Sequence, residues 1–311
     1  MDLHTASQQL ISALKSFMAE NPVDAILFSG GIDTSLLASI AYQLSKPALI
    51  TVIFKDAHAP DLHFSTLAAK TLGAEHHIKF FDLNEAIRAA RKTIYILRTF
   101  DPVEIRNSIP ILIGLEFAKK LGFRTIMTGD GGDELFAGYS FLLKMQPQEV
   151  ETWIQKTVKT WSFSSNTLAK ALGLTIVQPF TNKTVVNTAL KIPINLKISK
   201  LNNKTIGKFI LRKILESTLS PEIAWRNKDP IELGSGTSSL PQILNHMISD
   251  EEFRQLSKEV KLRSKEQALY FKIFKSLGLK IPKAKNSTPC KYCGAPTSNN
   301  FCKTCGAYPA T

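Results

Sequence analysis

The segment TGDGGDELFAGY, residues 128–139, sets Asp130, Asp133 and Glu134 among Gly129, Gly131 and Gly132. Carboxylates this close repel one another unless a cation lies among them, and glycines let a ligand approach the backbone. A second segment, SGGIDTS at residues 29–35, joins a glycine pair to hydroxyls and one acid, Asp33. Backbone N–H groups in such a turn, where a helix begins, suit a phosphate. The GxxxxGKS/T spacing is absent, so no lysine of this loop reaches a terminal phosphate, and Asp33 suits Mg2+ instead. A capped strand-to-helix turn would account for SGGIDTS alone. An acid in a first helical turn would account for one carboxylate of the second motif, but not for three among three glycines. Asp33 and Asp133, arriving from separate strand ends, are expected to hold Mg2+ jointly on a pyrophosphate.

The third constellation is CKYCGAPTSNNFCKTCG, which carries Cys290, Cys293, Cys302 and Cys305. Two CxxC knuckles present four thiolates to one tetrahedral ion, and a segment this short needs that ion to fold. Four thiolates leave no open position, so a structural Zn2+ in a zinc ribbon is expected, with recognition as its use. The ribbon is expected to be dispensable for chemistry on small substrates. A redox or disulfide role is the other reading of these cysteines.

Positioning these groups requires strands that end at the two glycine motifs. Leu10, Leu14, Phe17 and Met18 lie at helical spacing and predict a first helix ended by Asn21 and Pro22. Val23 to Phe28 predicts a strand feeding SGGIDTS, after which Leu36, Leu37, Ile40, Ala41 and Leu44 return to helical spacing. Alternation continues through strands at 48–54 and 76–80 and a helix from Ser108 to Leu121, and it ends in RTIMTGDGG. Such a series implies right-handed crossovers, a doubly wound parallel sheet covered on both faces, and ligands at the carboxyl ends of its strands. Beyond Gly138 strand signals fade, and helices are predicted over 150–171, 206–218 and 251–277.

The chain is therefore divided into an N-terminal helix (1–20), an α/β core (21–145), a helical extension (146–279), a linker (280–289) and the ribbon (290–306). KIPKAKNSTP at 280–289 is proline- and lysine-rich, as linkers are. No apolar run approaches the length of about 18 residues that a membrane helix needs, and no signal-like start precedes the first helix. A cytoplasmic protein without membrane partners is expected. Lys and Arg total 39 against 26 Asp and Glu, a net charge of +13, so a polyanion such as tRNA or another nucleic acid is a candidate partner.

FSGGIDTS resembles the pyrophosphatase loop (PP-loop) of the asparagine synthetase family, and TGDGGDELFAGY resembles that family's second signature. Similarity extends through LGAEHHIKFF (72–81), TFDPVEIRNSIP (99–110), QPF (178–180), KFILRKIL (208–215) and IAWRNKDPIELGSG (223–236). The resemblance implies an adenine nucleotide alpha hydrolase-like fold. It also implies a reaction in which a carboxylate attacks the α-phosphate of ATP, pyrophosphate leaves, and ammonia attacks the acyl-adenylate. Carried over by position, Ser29, Gly30, Gly31, Asp33, Thr34 and Ser35 cradle pyrophosphate. Asp33 and Asp133 bind Mg2+, and Phe28, Val52, Thr128 and Gly129 border the nucleotide. Asp130 stands where the family usually has Glu, as a proton acceptor during ammonia addition. Arg106 and Lys228 match basic residues that stabilise developing phosphate charge.

Departures from the family bear on the substrates. Asp2 stands where a glutamine-hydrolysing relative would begin with its cysteine nucleophile, so no glutaminase of its own is expected. Nitrogen would come from free ammonia or a partner glutaminase, to aspartate or a related carboxylate. Val103 and Glu104 replace threonines common in the family. The ribbon is similar to that of tRNA 2-thiouridine synthetases, so an adenylating, tRNA-modifying enzyme of the thiolation type is the alternative. The absence of cysteine before position 290 counts against sulfur transfer. A nucleic-acid-binding protein with a decayed ATP site is a third reading, opposed by the intact Asp33, Asp130, Asp133 and Lys228. A homodimer is a further expected assembly.

Overall fold

The computed structural model describes all residues except 56, 202 and 286, the last of which falls in the segment read as a linker. The chain forms two compact units that do not follow chain order. The first comprises residues 1–51, 60–79 and 114–230, and the second comprises 52–59, 80–113 and 231–311.

A five-stranded sheet contains β1 (Ala25–Leu27), β2 (Ala48–Phe54), β3 (His76–Phe81), β4 (Thr125–Met127) and β5 (Thr175–Val177) in the order β3-β2-β1-β4-β5. β1 pairs in parallel with β2 and β4, with Ala25 opposite both Ala48 and Ile126, and β4 pairs in parallel with β5. The expected doubly wound sheet is the one observed. Winding runs outward in both directions from β1, so β1 and β4 flank the point where a crevice opens at the carboxyl ends of the strands. SGGIDTS follows β1 and TGDGGDEL follows β4.

β5 was not expected, because only three residues of LTIVQPF form the strand and a run this short carries no period. A small antiparallel pair, Ser199–Leu201 with Lys204–Ile206, also interrupts the otherwise helical extension. Two predicted helices are each split, into Pro147–Thr157 and Ser164–Leu172, and into Asp250–Leu256 and Lys265–Ser276.

In the first unit, Ala6, Leu10, Leu14 and Met18 of the helix Leu3–Glu20 are buried, as their spacing requires. They join a core with Leu36, Leu37 and Ile40 behind the first glycine loop and Ile210, Leu211, Ile214 and Leu215 of the helix Phe209–Thr218. That core fixes the two helices that begin at the site.

In the second unit, the helix Pro102–Lys120 starts six residues before its predicted first residue, Ser108. Pro102 suits a first helical position, and Asp101 Oδ1 accepts a hydrogen bond from the Val103 amide. Pro110 lies inside the helix and cannot donate to the Arg106 carbonyl. Thr237 Oγ1 donates to that carbonyl at 3.4 Å. Phe100 packs against Phe271 and Phe274, with ring centroids 4.9 and 5.4 Å apart. No helix among the described residues is long and apolar enough to cross a membrane.

Leu14 is fully buried, so Leu14→Ala is expected to destabilise the protein by about 2–5 kcal/mol. Urea unfolding should show a lower midpoint with an unchanged slope.

Candidate active site

The loop after β1 is built around Gly30, whose φ of +64° belongs to the left-handed region and where a Cβ would lie 2.4 Å from the Ser65 backbone nitrogen. Only glycine fits there. Ser29 Oγ accepts from the Gly31 amide at 3.1 Å and lies 3.2 Å from Thr34 Oγ1. Gly31 begins the helix Ile32–Ala41 without a side-chain cap, so hydroxyls and first-turn amides share one concave turn.

Asp33, in the first turn of that helix, meets the second motif through Lys208. The Lys208 ammonium bonds Asp33 Oδ2 and lies 2.6 Å from Asp133 Oδ1. Lys228 approaches Asp133 Oδ2 at 3.4 Å and sits 5.5 Å over the Tyr139 ring. Lys208 is 2% exposed, and of the three acids in the second motif its ammonium pairs with Asp133 alone. Glycines make room for it: a Cβ on Gly132 would come 2.5 Å from Asp33 Oδ1, and one on Gly138 would come 1.8 Å from Asp133 Oδ1.

Burial pushes the Asp33 carboxyl up, against the pull of Lys208, and the Asp133 charge adds to the rise. Burial acts in the same sense on Asp133, yet Lys208 and Lys228 together hold it below its ordinary value. Lys208 is raised because its two carboxylates outweigh its burial. Asp33 Oδ1 is buried without a hydrogen-bond partner. A hard acceptor left open beside a second carboxylate fits a Mg2+ ligand set.

Asp130 Oδ2 accepts from Thr128 Oγ1 and Ser165 Oγ, each at 2.6 Å, and from Gln178 Nε2 at 2.7 Å. Its carboxylate is thereby fixed in orientation. Glu134 accepts from Tyr139 Oη at 2.6 Å, and burial raises its carboxyl. Arg226, buried and stacked 4.1 Å from the Phe64 centroid, donates to the Ser29 carbonyl at 3.3 Å and pairs with Asp61 at 3.1 Å and Asp229 at 3.3 Å.

The first unit thus brings together Ser29, Gly30, Gly31, Asp33, Thr34, Ser35, Thr128, Gly129, Asp130, Asp133 and Lys228, with Phe28 ending β1. Val52, on β2, and Arg106 belong to the second unit. There Arg106 Nη1 pairs with Glu266 Oε2 at 2.6 Å, and Glu266 also accepts from Tyr270 Oη at 3.2 Å. The four cysteines are free thiols whose sulfurs all lie within 4.8 Å of one another, with Cys290–Cys305 at 3.7 Å and Cys293–Cys302 at 3.6 Å. A tetrahedral ion with bonds of about 2.3 Å separates its sulfurs by about 3.8 Å, so the group fits one metal ion.

Lys208, Arg226, Asp61, Ser165 and Gln178 were missed in the sequence. Lys208 and Gln178 stood inside matched segments, but nothing separates a buried lysine from the other cations until its partners are known. Burial pushes Asp61 up to about 6, against the pull of Arg226. The folded state then keeps this proton longer than the unfolded chain, whose value is about 3.9. The stability it contributes is full below pH ~4 and lost as pH rises to ~6. Asp61→Asn should therefore gain stability relative to the parent between pH 4 and 7 in thermal melts. A relative loss above pH 6 would show that the Arg226 pair outweighs burial.

The profile of the asparagine synthase family matches residues 6–162 and 144–273. Asparagine synthetase B, glutamine-hydrolyzing, of Escherichia coli (strain K12) is 27% identical over 312 residues, covering 93% of this chain and 56% of the relative. Asparagine synthetase 1, glutamine-hydrolyzing, of Saccharomyces cerevisiae (strain ATCC 204508 / S288c) is 30% identical over 287 residues, covering 77% of this chain and 50% of the relative. The chain spans about half the length of these relatives. Among solved structures, NMN synthetase from Francisella tularensis is similar at a TM-score of 0.39 and 13% identity, covering 92% of this chain and 99% of that one. With a family match that runs through both glycine motifs and the segment carrying Lys208 and Arg226, the chain belongs to the asparagine synthase family.

Proposed function

We propose that the chain is an ATP-dependent, AMP- and pyrophosphate-forming synthetase that adenylates a carboxylate, aspartate or a related acceptor, and transfers nitrogen to it. The observation that carries this reading is the Asp33–Lys208–Asp133 cluster between the two glycine motifs, with its lysine buried and its carboxylates half-buried. Asp33, with its unpartnered oxygen, and Asp133 would hold Mg2+. That ion supplies charge neutralisation to a leaving pyrophosphate.

The chain's own groups divide the remaining work. Ser29, Gly30, Gly31, Thr34 and Ser35 offer hydroxyls and amides to the pyrophosphate, while Phe28, Thr128 and Gly129 border the nucleotide. Lys228, half-buried beside Asp133, is suited to the charge that develops as the acceptor carboxylate attacks the α-phosphorus. For Arg106, which pairs with Glu266 within the second unit, a role toward developing phosphate charge rests on the family resemblance alone. In the second step ammonia, free or from a partner glutaminase, adds to the acyl carbon and AMP departs. Asp130, whose Oδ2 accepts from three donors, would take the proton released from nitrogen.

The test is ATP/pyrophosphate exchange with aspartate, other carboxylates and tRNA supplied in turn. Exchange should require a carboxylate, and Asp33→Asn or Asp133→Asn should lower it by about 10²-fold or more while thermal melts show a folded protein. Exchange that depends on tRNA alone would replace this reading with an RNA-modifying one.

A further inference from the structure

The ribbon is built into the second unit rather than tethered to it. In the knuckle Cys302–Gly306, the Gly306 amide donates to the Cys302 carbonyl at 2.8 Å, and the Cys302 amide donates to the Ala307 carbonyl at 3.1 Å. This turn directs three successive carbonyls outward. Those of Lys303 and Thr304 accept from Thr99 Oγ1 at 2.8 and 3.1 Å, and that of Thr304 also accepts from the Phe100 amide at 2.8 Å. The Cys305 carbonyl accepts from Arg263 Nη2 at 2.6 Å and Gln267 Nε2 at 2.9 Å. Gly306 lies so close to Asp101 that a Cβ there would come 2.2 Å from the Asp101 carboxyl carbon.

Both sides of this contact lead to Arg106. On one side, Thr99 to Asp101 runs directly into the helix Pro102–Lys120, with the Asp101 carboxylate capping the Val103 amide. On the other, Gln267 is the neighbour of Glu266, which pairs with Arg106. Gln267 is 1% exposed, and its Oε1 accepts from the Arg263 amide at 2.8 Å. Were the turn lost, the Phe100 amide and the Gln267 carboxamide would be left buried without acceptors. A cysteine knuckle this short depends for its stability on what links its thiols.

We infer that a zinc ion held by Cys290, Cys293, Cys302 and Cys305 braces the start of the Pro102–Lys120 helix and, through it, the Arg106–Glu266 pair. The ribbon is then a metal-dependent brace of the second unit, not a detachable recognition tail. Its consequence for catalysis rests on the proposed role of Arg106, but the brace itself does not.

The experiment is hydrogen–deuterium exchange on the full chain loaded with zinc and after chelation, with metal content measured alongside. One zinc per chain is expected, and its removal should speed exchange about tenfold or more in the segment 99–106 while leaving 25–35 unchanged. Exchange that rises only within 290–311 would overturn the proposal, as would a protected Phe100 amide in protein that holds no metal. Should chelation unfold the whole chain, Thr99→Val decides. It removes the hydroxyl bonded to Lys303 and Thr304, which also accepts from the Asp101 amide, but leaves all four thiols, so it should retain one zinc and lose protection at 103–106, beyond that direct bond. Unaltered protection there would contradict the brace. Neither readout passes through ATP or the acceptor, so failure of the synthetase reading is seen separately, as absent pyrophosphate exchange.

Discussion

Lys208 and the two carboxylates it joins hold the first unit's site in one arrangement. The ammonium stands at the N-terminal boundary of the helix Phe209–Thr218, Asp33 opens the helix Ile32–Ala41, and Asp133 opens the short helix after β4. The Lys208 ammonium is removed from water, while the Asp33 and Asp133 side chains are 17% and 26% exposed. Breaking one partnership would strand an uncompensated charge, an effect of about 3–5 kcal/mol. A buried ion triad is a poor way to add stability compared with apolar side chains of the same volume. Its retention beside a phosphate-suited loop is more readily explained by chemistry that needs carboxylates held close and correctly oriented.

The glycines follow from the same constraint. Gly132 and Gly138 are required where a Cβ would enter the space of Asp33 or Asp133. The glycines read in sequence as letting a ligand approach the backbone also exclude side chains where Asp33 and Asp133 pack. Arg226 performs a related task behind the loop, holding the Ser29 carbonyl while it neutralises Asp61 and Asp229.

What the sequence revealed was what repeats or recurs over short spans. The helical spacing of Leu10, Leu14 and Met18, the strand-to-glycine junctions after β1 and β4, and the two CxxC pairs are all local, and each is found where expected. What stayed hidden depends on partners distant along the chain. Lys208 lies 175 positions from Asp33, and Arg106 lies 160 from Glu266. The three residues of β5 are too few for a period, and the helix expected from Ser108 starts at Pro102, with the carbonyl orphaned by Pro110 met by Thr237. Of the two cations in WRNKDP, the buried one is Arg226, whereas Lys228 is the half-buried neighbour of Asp133. The ribbon was recognised from spacing, but its hydrogen bonds to Thr99, Phe100, Arg263 and Gln267 were not. It therefore appeared to be an appendage.

The central claim is that the charge of Lys208 is what allows Asp33 and Asp133 to be buried together. It is tested most directly by a double-mutant cycle with Lys208→Met, Asp33→Asn and the combined variant, read by urea unfolding at neutral pH. The account predicts that Lys208→Met alone is strongly destabilising and that adding Asp33→Asn restores about 1 kcal/mol or more, a clear coupling. Additive effects, with the double variant no better than the sum of its parts, would contradict it.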